Sequence, residues 1–429
     1  MAPAPHKVGG VTQLFATQPL APLSRDDGSA NDGLSPAAAR RVRAAAWPLA
    51  VLLVVHRVFI VALNGTLTDD FTTVYSAVRR MLDGQPVYEQ AYGHVDPLYL
   101  YTPGATALLA PVGMLPFDPA RTGFILLNAA AIIGGLALLT LIVGHRLSGW
   151  VWPASIAVAF ATESVTNTLA FTNINGVLFL ALCGFLWCFL RSYSGDGAPT
   201  AQRRWSWLAG LILGLAILIK PQFAPLLLLP LVTLDWRALA GGIGVPVALN
   251  AAAVVALDSV RGYTASLVPY LRTTRDYANS SWPGLNAYFQ LGPLMYWSVW
   301  LAAAALVACT VIALLRWHRT DPALWALTTS GVLFAGIFFL SSLGQQYYSM
   351  WLFPIMFTVF LPASAFHSWS AWLAAALYLA PLEWTSTHWP DSGRWLSTFA
   401  GTLGWLLLIV AAGATVAGWL LRERVHLRA

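Results

Sequence analysis

Charged residues are scarce in this sequence: Asp, Glu, Lys and Arg make up only 10% of its 429 residues, while 58% are hydrophobic. Soluble domains carry about 25% charged and about 45–50% apolar residues. A soluble core cannot bury so much apolar surface, and the composition also excludes a disordered chain and a nucleic-acid binder. We therefore predict an all-α, polytopic membrane protein, because helices satisfy their own backbone hydrogen bonds in lipid.

Cysteine is also rare. The chain has 3 Cys, and Cys183, Cys188 and Cys309 all lie in apolar runs without the spacing of metal ligands. This pattern argues against a disulfide framework and against a zinc site.

Hydrophobic runs recur along the chain at lengths near the roughly 20 residues that a bilayer requires. We predict about 12 transmembrane helices, within a range of about 10 to 13, because some runs are short. The predicted spans are 46–63, 121–144, 150–163, 176–191, 206–219, 222–234, 238–256, 294–315, 323–341, 347–362, 370–381 and 400–421.

The run 103–115 decides the topology. We interpret it as a re-entrant or interfacial helix in the first external loop, because every basic loop then falls on the cytoplasmic side. This topology predicts cytoplasmic termini, a disordered cytoplasmic tail over 1–39 and a single transmembrane domain over 40–429. The predicted external loops are 64–120, 257–293 and 382–399.

Two carboxylates open the first external loop. Asp69 and Asp70 follow the first span almost directly. A carboxylate at the outer membrane edge suits a general base or a metal ligand. Alternatively, Thr68 or Asp69 is the N-cap of an amphipathic helix. One Asp can cap while its neighbour is functional, so both interpretations stay open.

Lysine is nearly absent: besides Lys7 in the tail, the only one is Lys220, between two hydrophobic spans and just before Pro221. A charge at membrane depth is costly and indicates function, and a lone cation suits a lipid-linked phosphate. Snorkelling to the interface is the alternative. Arg57 in the first span is similarly costly; it pairs with an external carboxylate or binds a phosphate.

The segment 161–176 is polar between two spans and contains Glu163, Asn167, Asn173 and Asn175. Asn side chains both donate and accept in fixed directions, which suits recognition of a polyol. The same residues would also make an ordinary external turn.

Two further external segments carry candidate residues. Arg275 and Asp276 lie in a mixed-charge loop that fits sugar or phosphate binding, or a solvated loop. Tyr347 and Tyr348 begin a later span, where they are either interfacial anchors or contacts for a sugar or a phosphate. All these candidates fall on one predicted side of the membrane, which predicts an outward-facing cavity where a lipid phosphate meets a hydrophilic substrate.

A carboxylate just after the first span, a large first external loop and many apolar helices resemble the GT-C glycosyltransferases. Within them, the sequence is similar to the family-87 type that adds α-(1→3)-linked arabinofuranose to mycobacterial cell-wall arabinan. At Thr102 the sequence departs from the family pattern, which has Pro, and this leaves the local turn open. The strings that carry the resemblance are TDDFTTVY (68–75), VDPLYLYTPG (95–104), ATESVTNTLAFTNING (161–176), KP (220–221), TRDYANSS (274–281) and QYYSM (346–350).

The resemblance implies a substrate pair and a reaction. The donor is decaprenylphosphoryl-β-D-arabinofuranose, and the acceptor is α-(1→5)-linked arabinan of arabinogalactan or lipoarabinomannan. The product is an α-(1→3) branch, so the anomeric configuration inverts. The expected location is the bacterial plasma membrane, with the active site on the periplasmic face. The alternatives are a polyprenyl-phosphomannose-dependent mannosyltransferase and a flippase for a polyprenyl-linked sugar.

The resemblance also implies roles for the candidate residues. An inverting transfer needs one base, expected to be Asp70 with Asp69 as second choice. It also needs groups that stabilise the leaving phosphate. No cofactor is required, although Asp69 and Asp70 leave a divalent cation possible. The expected phosphate ligands are Lys220, Arg57, Arg275 and Tyr348, and the expected sugar or acceptor contacts are Glu163, Asn167, Asn173, Asn175, Asp276 and Tyr347.

Overall fold

The computed structural model describes residues 34–66, 69–89, 92, 98–193, 198–275 and 277–426. Side chains are described throughout these ranges except at 69 and 423–426. In these ranges the chain forms helices and no β-strand, as the composition predicts.

Eighteen α-helices follow one another along the described chain. They are α1 (Pro36–Val55), α2 (Asp69–Leu82), α3 (Pro103–Leu108), α4 (Ala110–Met114), α5 (Phe117–Ile142), α6 (Val151–Ala161), α7 (Glu163–Ala170), α8 (Asn175–Tyr193), α9 (Pro199–Ile219), α10 (Leu228–Val232), α11 (Trp236–Ala256), α12 (Val268–Leu271), α13 (Trp282–Phe289), α14 (Pro293–Leu314), α15 (Pro322–Leu340), α16 (Phe353–Phe357), α17 (Trp369–Leu379) and α18 (Pro390–His426).

Seven of the described helices are long and apolar enough to cross a membrane, so the chain is a multi-pass membrane protein. Three shorter apolar helices, Val151–Ala161, Pro221–Val232 and Trp369–Leu379, coincide with three of the predicted spans. The count of about 12 therefore stays a prediction. The seven long ones are Pro36–Leu63, Phe117–Ile142, Asn175–Tyr193, Trp236–Ala256, Pro293–Trp317, Pro322–Leu340 and Pro390–Arg422.

Two predicted segments differ from the structure. The predicted tail over 1–39 ends too late, because Ser35 caps a helix that begins at Pro36; residues 1–33 lie outside the described ranges. The predicted span 347–362 is not one helix but a 3₁₀ turn (Gln346–Leu352), then α16, then a second 3₁₀ turn (Thr358–Phe360). Pro354 in the first turn of α16 lacks the N–H that a continuous helix would need there.

The run 103–115 forms α3 and α4, of 6 and 5 residues. Together they rise only about 17 Å, well short of the roughly 30 Å hydrocarbon core. The turn before α3 is well formed despite the departure at Thr102. Its hydroxyl oxygen accepts from the Ala105 amide at 3.4 Å and lies 2.7 Å from the Leu218 carbonyl, to which it donates.

Helices α9 and α11 approach each other at glycines. A Cβ on Gly210 would lie 2.7 Å from the Ala238 carbonyl oxygen, and one on Gly241 would lie 2.7 Å from the Gly210 carbonyl carbon. Small residues permit such close contact between membrane helices. This contact matters because α9 ends directly before Lys220 and because α11 carries Asn250, whose side chain accepts from the Gly104 amide at 2.9 Å.

Candidate active site

Asp70 lies in the first turn of α2. One carboxylate oxygen, Oδ2, accepts from Asn173 Nδ2 at 2.8 Å and from the Tyr347 hydroxyl at 3.1 Å. These partners are 103 and 277 positions away in the sequence, so tertiary packing assembles the site. The amphipathic helix predicted after Asp69 is confirmed; Thr68 lies outside the described residues, as does the side chain of Asp69.

Arg121 of α5 fixes the chain just before Asp70. Its guanidinium donates to the carbonyls of Ala62 at 2.7 Å, Leu63 at 3.2 Å and Gly65 at 2.8 Å. The last carbonyls of a helix have no partner within it, so an Arg at this position satisfies them and complements the helix dipole. Sequence reasoning missed this role for Arg121.

A strained turn between α7 and α8 presents two asparagines. Thr172 has φ of 56°, a left-handed conformation that is an outlier for a β-branched residue. The backbone amide of Asn173 then donates to the Thr168 carbonyl at 2.8 Å. The side-chain oxygen Oδ1 of Asn173 accepts from the backbone amide of Asn175 at 3.0 Å, and this bond caps the start of α8. The same Asn173 side chain therefore holds the turn and Asp70.

Lys220 ends α9 with an extended backbone, φ −133° and ψ 103°, because the following Pro221 disfavours the helical conformation. Its side chain is only 7% exposed. Nζ donates to Asn175 Oδ1 at 2.7 Å and lies 4.4 Å from the centre of the Tyr348 ring and 5.3 Å from that of Trp351. Snorkelling is thus wrong for Lys220: the ammonium is buried against an amide and two aromatic faces.

Tyr347 and Tyr348 complete the group and are 8% and 5% exposed, so they are not exposed interfacial anchors. Tyr348 stacks on Trp351 with an angle of 5° between ring planes. Two routes therefore join the carboxylate of Asp70 to Lys220, one through the asparagines and one through the adjacent tyrosines. We call this group the polar cluster: Asp70, Asn173, Asn175, Lys220, Tyr347 and Tyr348.

A second carboxylate, Glu163, begins α7 beside the polar cluster. Its Oε1 accepts from Asn167 Nδ2 at 3.1 Å and its Oε2 accepts from Gln346 Nε2 at 2.7 Å. Burial raises the pKa of the Glu163 carboxyl to about 7, with a smaller increase from the negative charge of Glu383. Gln346 directly precedes Tyr347, so the bond to Glu163 anchors the segment that reaches Asp70.

Arg57 lies in a π-helical stretch, His56–Leu63, that continues α1. Its Nε donates to the Phe160 carbonyl at 3.2 Å, in the last turn of α6. The structure thus ties Arg57 to a helix end, where a cation is favourable. Its expected phosphate role stays a prediction.

Arg275 lies in a neighbouring loop, and its guanidinium carbon is 5.1 Å from the centre of the Tyr277 ring. Its Nε is buried without a partner among the described residues. Asn279 Nδ2 donates to the carbonyls of Arg275 and Ser342, at 3.0 and 2.8 Å. Asn279 thereby fixes this loop to the segment at Ser342, which precedes Tyr347 in the sequence. Asp276, an expected acceptor contact, lies outside the described residues.

The described residues contain no group of three or more His, Cys, Asp or Glu side chains arranged to hold a metal ion. At Asp70 the neighbours of the carboxylate are an amide nitrogen and a phenol, which donate to it rather than coordinate a cation. This donor set fits a divalent cation poorly, because Mg²⁺ and Ca²⁺ prefer several oxygen ligands.

Sequence reasoning found three asparagines of the site but missed other amide residues, among them Gln345 and Asn128. Gln345 Oε1 lies 2.6 Å from the Tyr347 hydroxyl and shares its single proton with Asp70 Oδ2. Asn128, buried in α5, accepts from the Val177 amide at 3.1 Å through Oδ1 and supports the first turn of α8. The signal for Asn128 is an amide side chain within an apolar span, which needs a partner when it is buried.

Comparison with known proteins adds to this geometry. The model of glycosyltransferase family 87 matches residues 99–342, more than half of the chain. An α-(1→3)-arabinofuranosyltransferase from Corynebacterium glutamicum is 50% identical over 381 residues, covering 89% of this chain and 88% of that relative. This chain belongs to glycosyltransferase family 87.

Two more relatives are similar to this chain over most of its length. An α-(1→3)-arabinofuranosyltransferase from Mycobacterium tuberculosis is 41% identical, covering 88% of this chain and 85% of the relative. A polyprenol-phosphate-mannose-dependent α-(1→2)-phosphatidylinositol pentamannoside mannosyltransferase from Mycolicibacterium smegmatis is 28% identical, covering 82% and 84%. The family-87 protein is thus a glycosyltransferase, as the strings in its sequence indicate.

Proposed function

We propose that this family-87 glycosyltransferase moves D-arabinofuranose from decaprenylphosphoryl-β-D-arabinofuranose to the 3-hydroxyl of α-(1→5)-linked arabinan. The product is an α-(1→3) branch in arabinogalactan or lipoarabinomannan. The proposed reaction rests on one observation, the polar cluster, in which the carboxylate of Asp70 and the buried ammonium of Lys220 come together. The 50% identity to an α-(1→3)-arabinofuranosyltransferase supports the choice of sugar and linkage.

Asp70 is the proposed general base. Among the described residues, its two side-chain donors, Asn173 and Tyr347, bind the same oxygen, Oδ2. They orient the carboxylate and leave Oδ1 for the proton of the acceptor hydroxyl. A base held within hydrogen-bond reach of an acceptor typically contributes about 10²–10⁴-fold to the rate.

Lys220 is the proposed ligand of the donor phosphate. It is a buried cation whose only described hydrogen-bond acceptor is a neutral amide, Asn175 Oδ1, so its charge is available to a phosphate. The Asn175 Nδ2 is buried without a partner among the described residues and is a second donor for the same phosphate. A charge-assisted bond of this kind becomes stronger as the leaving oxygen gains charge.

The reaction is a single displacement. The acceptor O3 forms a bond to the anomeric carbon as the bond from that carbon to the phosphate oxygen breaks. The proton of O3 goes to Asp70, and the electron pair of the broken bond leaves with decaprenyl phosphate beside Lys220. Attack from the face opposite the leaving group converts a β-linked donor into an α-linked product, and this step uses no cofactor.

The proposed setting is the bacterial plasma membrane, with a GT-C fold, the polar cluster on the periplasmic face and both termini in the cytoplasm. The region around 103–115 is proposed as interfacial or re-entrant. The distribution of Arg residues supports this orientation, because positive charges concentrate on the cytoplasmic side of membrane proteins.

Membranes that contain the protein, incubated with synthetic decaprenylphosphoryl-arabinose and a linear α-(1→5) arabinan, test the proposal. We expect new 3-linked branch residues by linkage analysis, and none from membranes without the protein. An unchanged linear acceptor would reject the proposal. Movement of the donor across the bilayer without glycoside formation would instead indicate a flippase.

Mannosyl transfer is the second candidate, because a polyprenol-phosphate-mannose-dependent relative is 28% identical over most of the chain. The same assay with polyprenyl-phosphomannose separates the two sugars. We expect at least about tenfold faster transfer of arabinose, a difference of about 1.4 kcal/mol in transition-state binding.

A further inference from the structure

A polar cavity lies at the end of α8 and α9 that is farther from the polar cluster. It has a volume of about 290 Å³ and is formed where α8 ends, α9 begins and α11 begins. Asn175 and Lys220 mark the opposite ends of α8 and α9, so one helix length separates the two sites. A helix of the length of α9 rises about 31 Å, close to the thickness of the hydrocarbon core.

Two cations line this cavity. Arg203 comes from the first turns of α9 and Arg237 from the first turn of α11. Within the described part of the chain, neither forms an ion pair with a carboxylate. The side chain of a third cation, Arg319, interacts with the hydroxyl of Tyr193, which also lines the cavity.

The carboxylate in the cavity already has partners. Asp235 is the N-cap of α11 and accepts from the Ala238 amide at 3.2 Å. It also accepts from the hydroxyl of Ser206 and, at 3.4 Å, from that of Ser192. Its oxygens are therefore directed to a helix end and to hydroxyls rather than to the two arginines.

The rim of the cavity is apolar and exposed. Leu234 is 79% exposed and Trp236 is 56% exposed. Trp236 packs edge-on against Trp207, and the guanidinium of Arg237 lies 4.6 Å from the centre of the Trp236 ring. Exposed Trp at a helix end is typical of the membrane–water interface, so the cavity opens where lipid headgroups lie.

We propose that this cavity, lined by Arg203 and Arg237, binds the phosphate headgroup of an anionic phospholipid. The preference of Arg for one side of the membrane explains why cations occur at this end. It does not explain why two of them line one concavity between helices, with no carboxylate partner among the described residues and with an exposed Trp beside them. Basic cavities between transmembrane helices bind anionic lipid headgroups, and the apolar rim matches the acyl chains.

The test is the thermal stability of the purified full-length protein during titration with phosphatidylglycerol or phosphatidylcholine. We expect saturable stabilisation by phosphatidylglycerol and at least tenfold weaker apparent affinity in R203Q/R237Q. The matched control is R204Q/R422Q, which removes two exposed arginines that do not line the cavity and is expected to keep wild-type affinity. R203K/R237K is expected to retain part of the binding.

Three results would overturn the proposal. The first is equal loss of affinity in both double variants, which would indicate diffuse attraction. The second is equal stabilisation by phosphatidylcholine. The third is equal stabilisation by inorganic phosphate at the same concentration, which would indicate a site for soluble anions. If R203Q/R237Q does not fold, the single variant R203Q is measured, and wild-type affinity in it would reject the proposal.

Discussion

Asp70 and Glu163 are two partly buried carboxylates at the same end of the helices, and each accepts a hydrogen bond from an Asn amide. Their environments nevertheless differ. Both donors to Asp70 bind one oxygen, whereas Glu163 receives one donor on each oxygen. Asp70 is also joined through two asparagines to a buried ammonium, while the partner of Glu163 on its own helix is only four positions away.

We propose that this difference separates a reactive carboxylate, Asp70, from a connecting one, Glu163. Among the described residues Oδ1 of Asp70 has no donor, so it can take a proton, and the nearby cation can stabilise a leaving anion. The surroundings of Asp70 therefore suit catalysis. Glu163 has both oxygens engaged and links α7 to the segment of Tyr347. Variants of these residues test the assignment.

Asp70→Asn is expected to reduce kcat by about 10²–10⁴-fold, because the amide cannot accept the acceptor proton. Donor affinity should change by less than about threefold, since the phosphate is expected to bind at Lys220. Glu163→Gln is the matched control, with an expected loss in kcat below about tenfold. The measurement is steady-state transfer to the linear arabinan, together with donor binding.

The comparison of the two carboxylates would fail if Glu163→Gln reduced kcat more than Asp70→Asn does. Wild-type turnover in Asp70→Asn would remove Asp70 from the base role, and an inactive Glu163→Gln enzyme with normal stability would transfer that role to Glu163. Asp69→Asn then decides whether the neighbouring carboxylate is the base.

Lys220→Met is expected to raise the KM for the donor by about 10–100-fold, because a charge-assisted hydrogen bond contributes about 1.5–3 kcal/mol. The KM for the acceptor should change little. Lys220→Arg keeps the charge but not the compact shape, so an intermediate KM is expected. A rise confined to the acceptor KM would show that Lys220 binds the acceptor instead of the phosphate.

The sequence identifies the members of the polar cluster more completely than the contacts between them. Asp70 and Lys220 are recognisable because charges are scarce and costly in this chain. The turn between α7 and α8 is recognisable as a polar string between apolar runs. The pairing of Lys220 with Asn175 is not, because a side chain 45 positions away is placed by the packing of α8 on α9.

The missed features have a similar cause. Arg121 looks like a flanking charge in the sequence, and only the fold shows that it satisfies carbonyls at the end of the first span. In the predicted span 347–362, Tyr348 and Trp351 stack on each other inside the protein, so their apolar character reflects internal packing. Hydropathy alone does not distinguish such an internal aromatic segment from a helix that faces lipid.

Glu163 should make stability depend on pH. Burial raises its pKa to about 7 from 4.5, so the folded protein binds this proton more tightly than the unfolded chain. The contribution of Glu163 to stability is then greatest below pH 4.5 and falls as the pH rises to about 7, by up to about 3 kcal/mol. Thermal unfolding from pH 4.5 to 8 should show this decline in the wild type and a flatter profile in Glu163→Gln.

A decline of equal slope in both proteins would assign the pH dependence to another group. Asp70→Asn is a useful second control. The comparison of the two carboxylates predicts that its profile between pH 4.5 and 7 retains the decline that Glu163 produces.

The smallest expected effect comes from Thr172, whose left-handed turn places Asn173 against Asp70, whereas Asn167 reaches Glu163 within one helix. A residue with a Cβ pays about 1–2 kcal/mol in this conformation, and the greater freedom of an unfolded Gly offsets about 0.5–1 kcal/mol. Thr172 is also 2% exposed and its hydroxyl donates to the Leu169 carbonyl at 3.5 Å, and Gly and Ala both remove that buried group. Thr172→Gly should therefore have a free energy of unfolding about 0.5–1 kcal/mol higher than that of Thr172→Ala. Thr172→Ala keeps the Cβ and its strain and is expected to be no more stable than the wild type. If Ala stabilises as much as Gly, the left-handed backbone carries no strain, and Asn173 reaches Asp70 without cost.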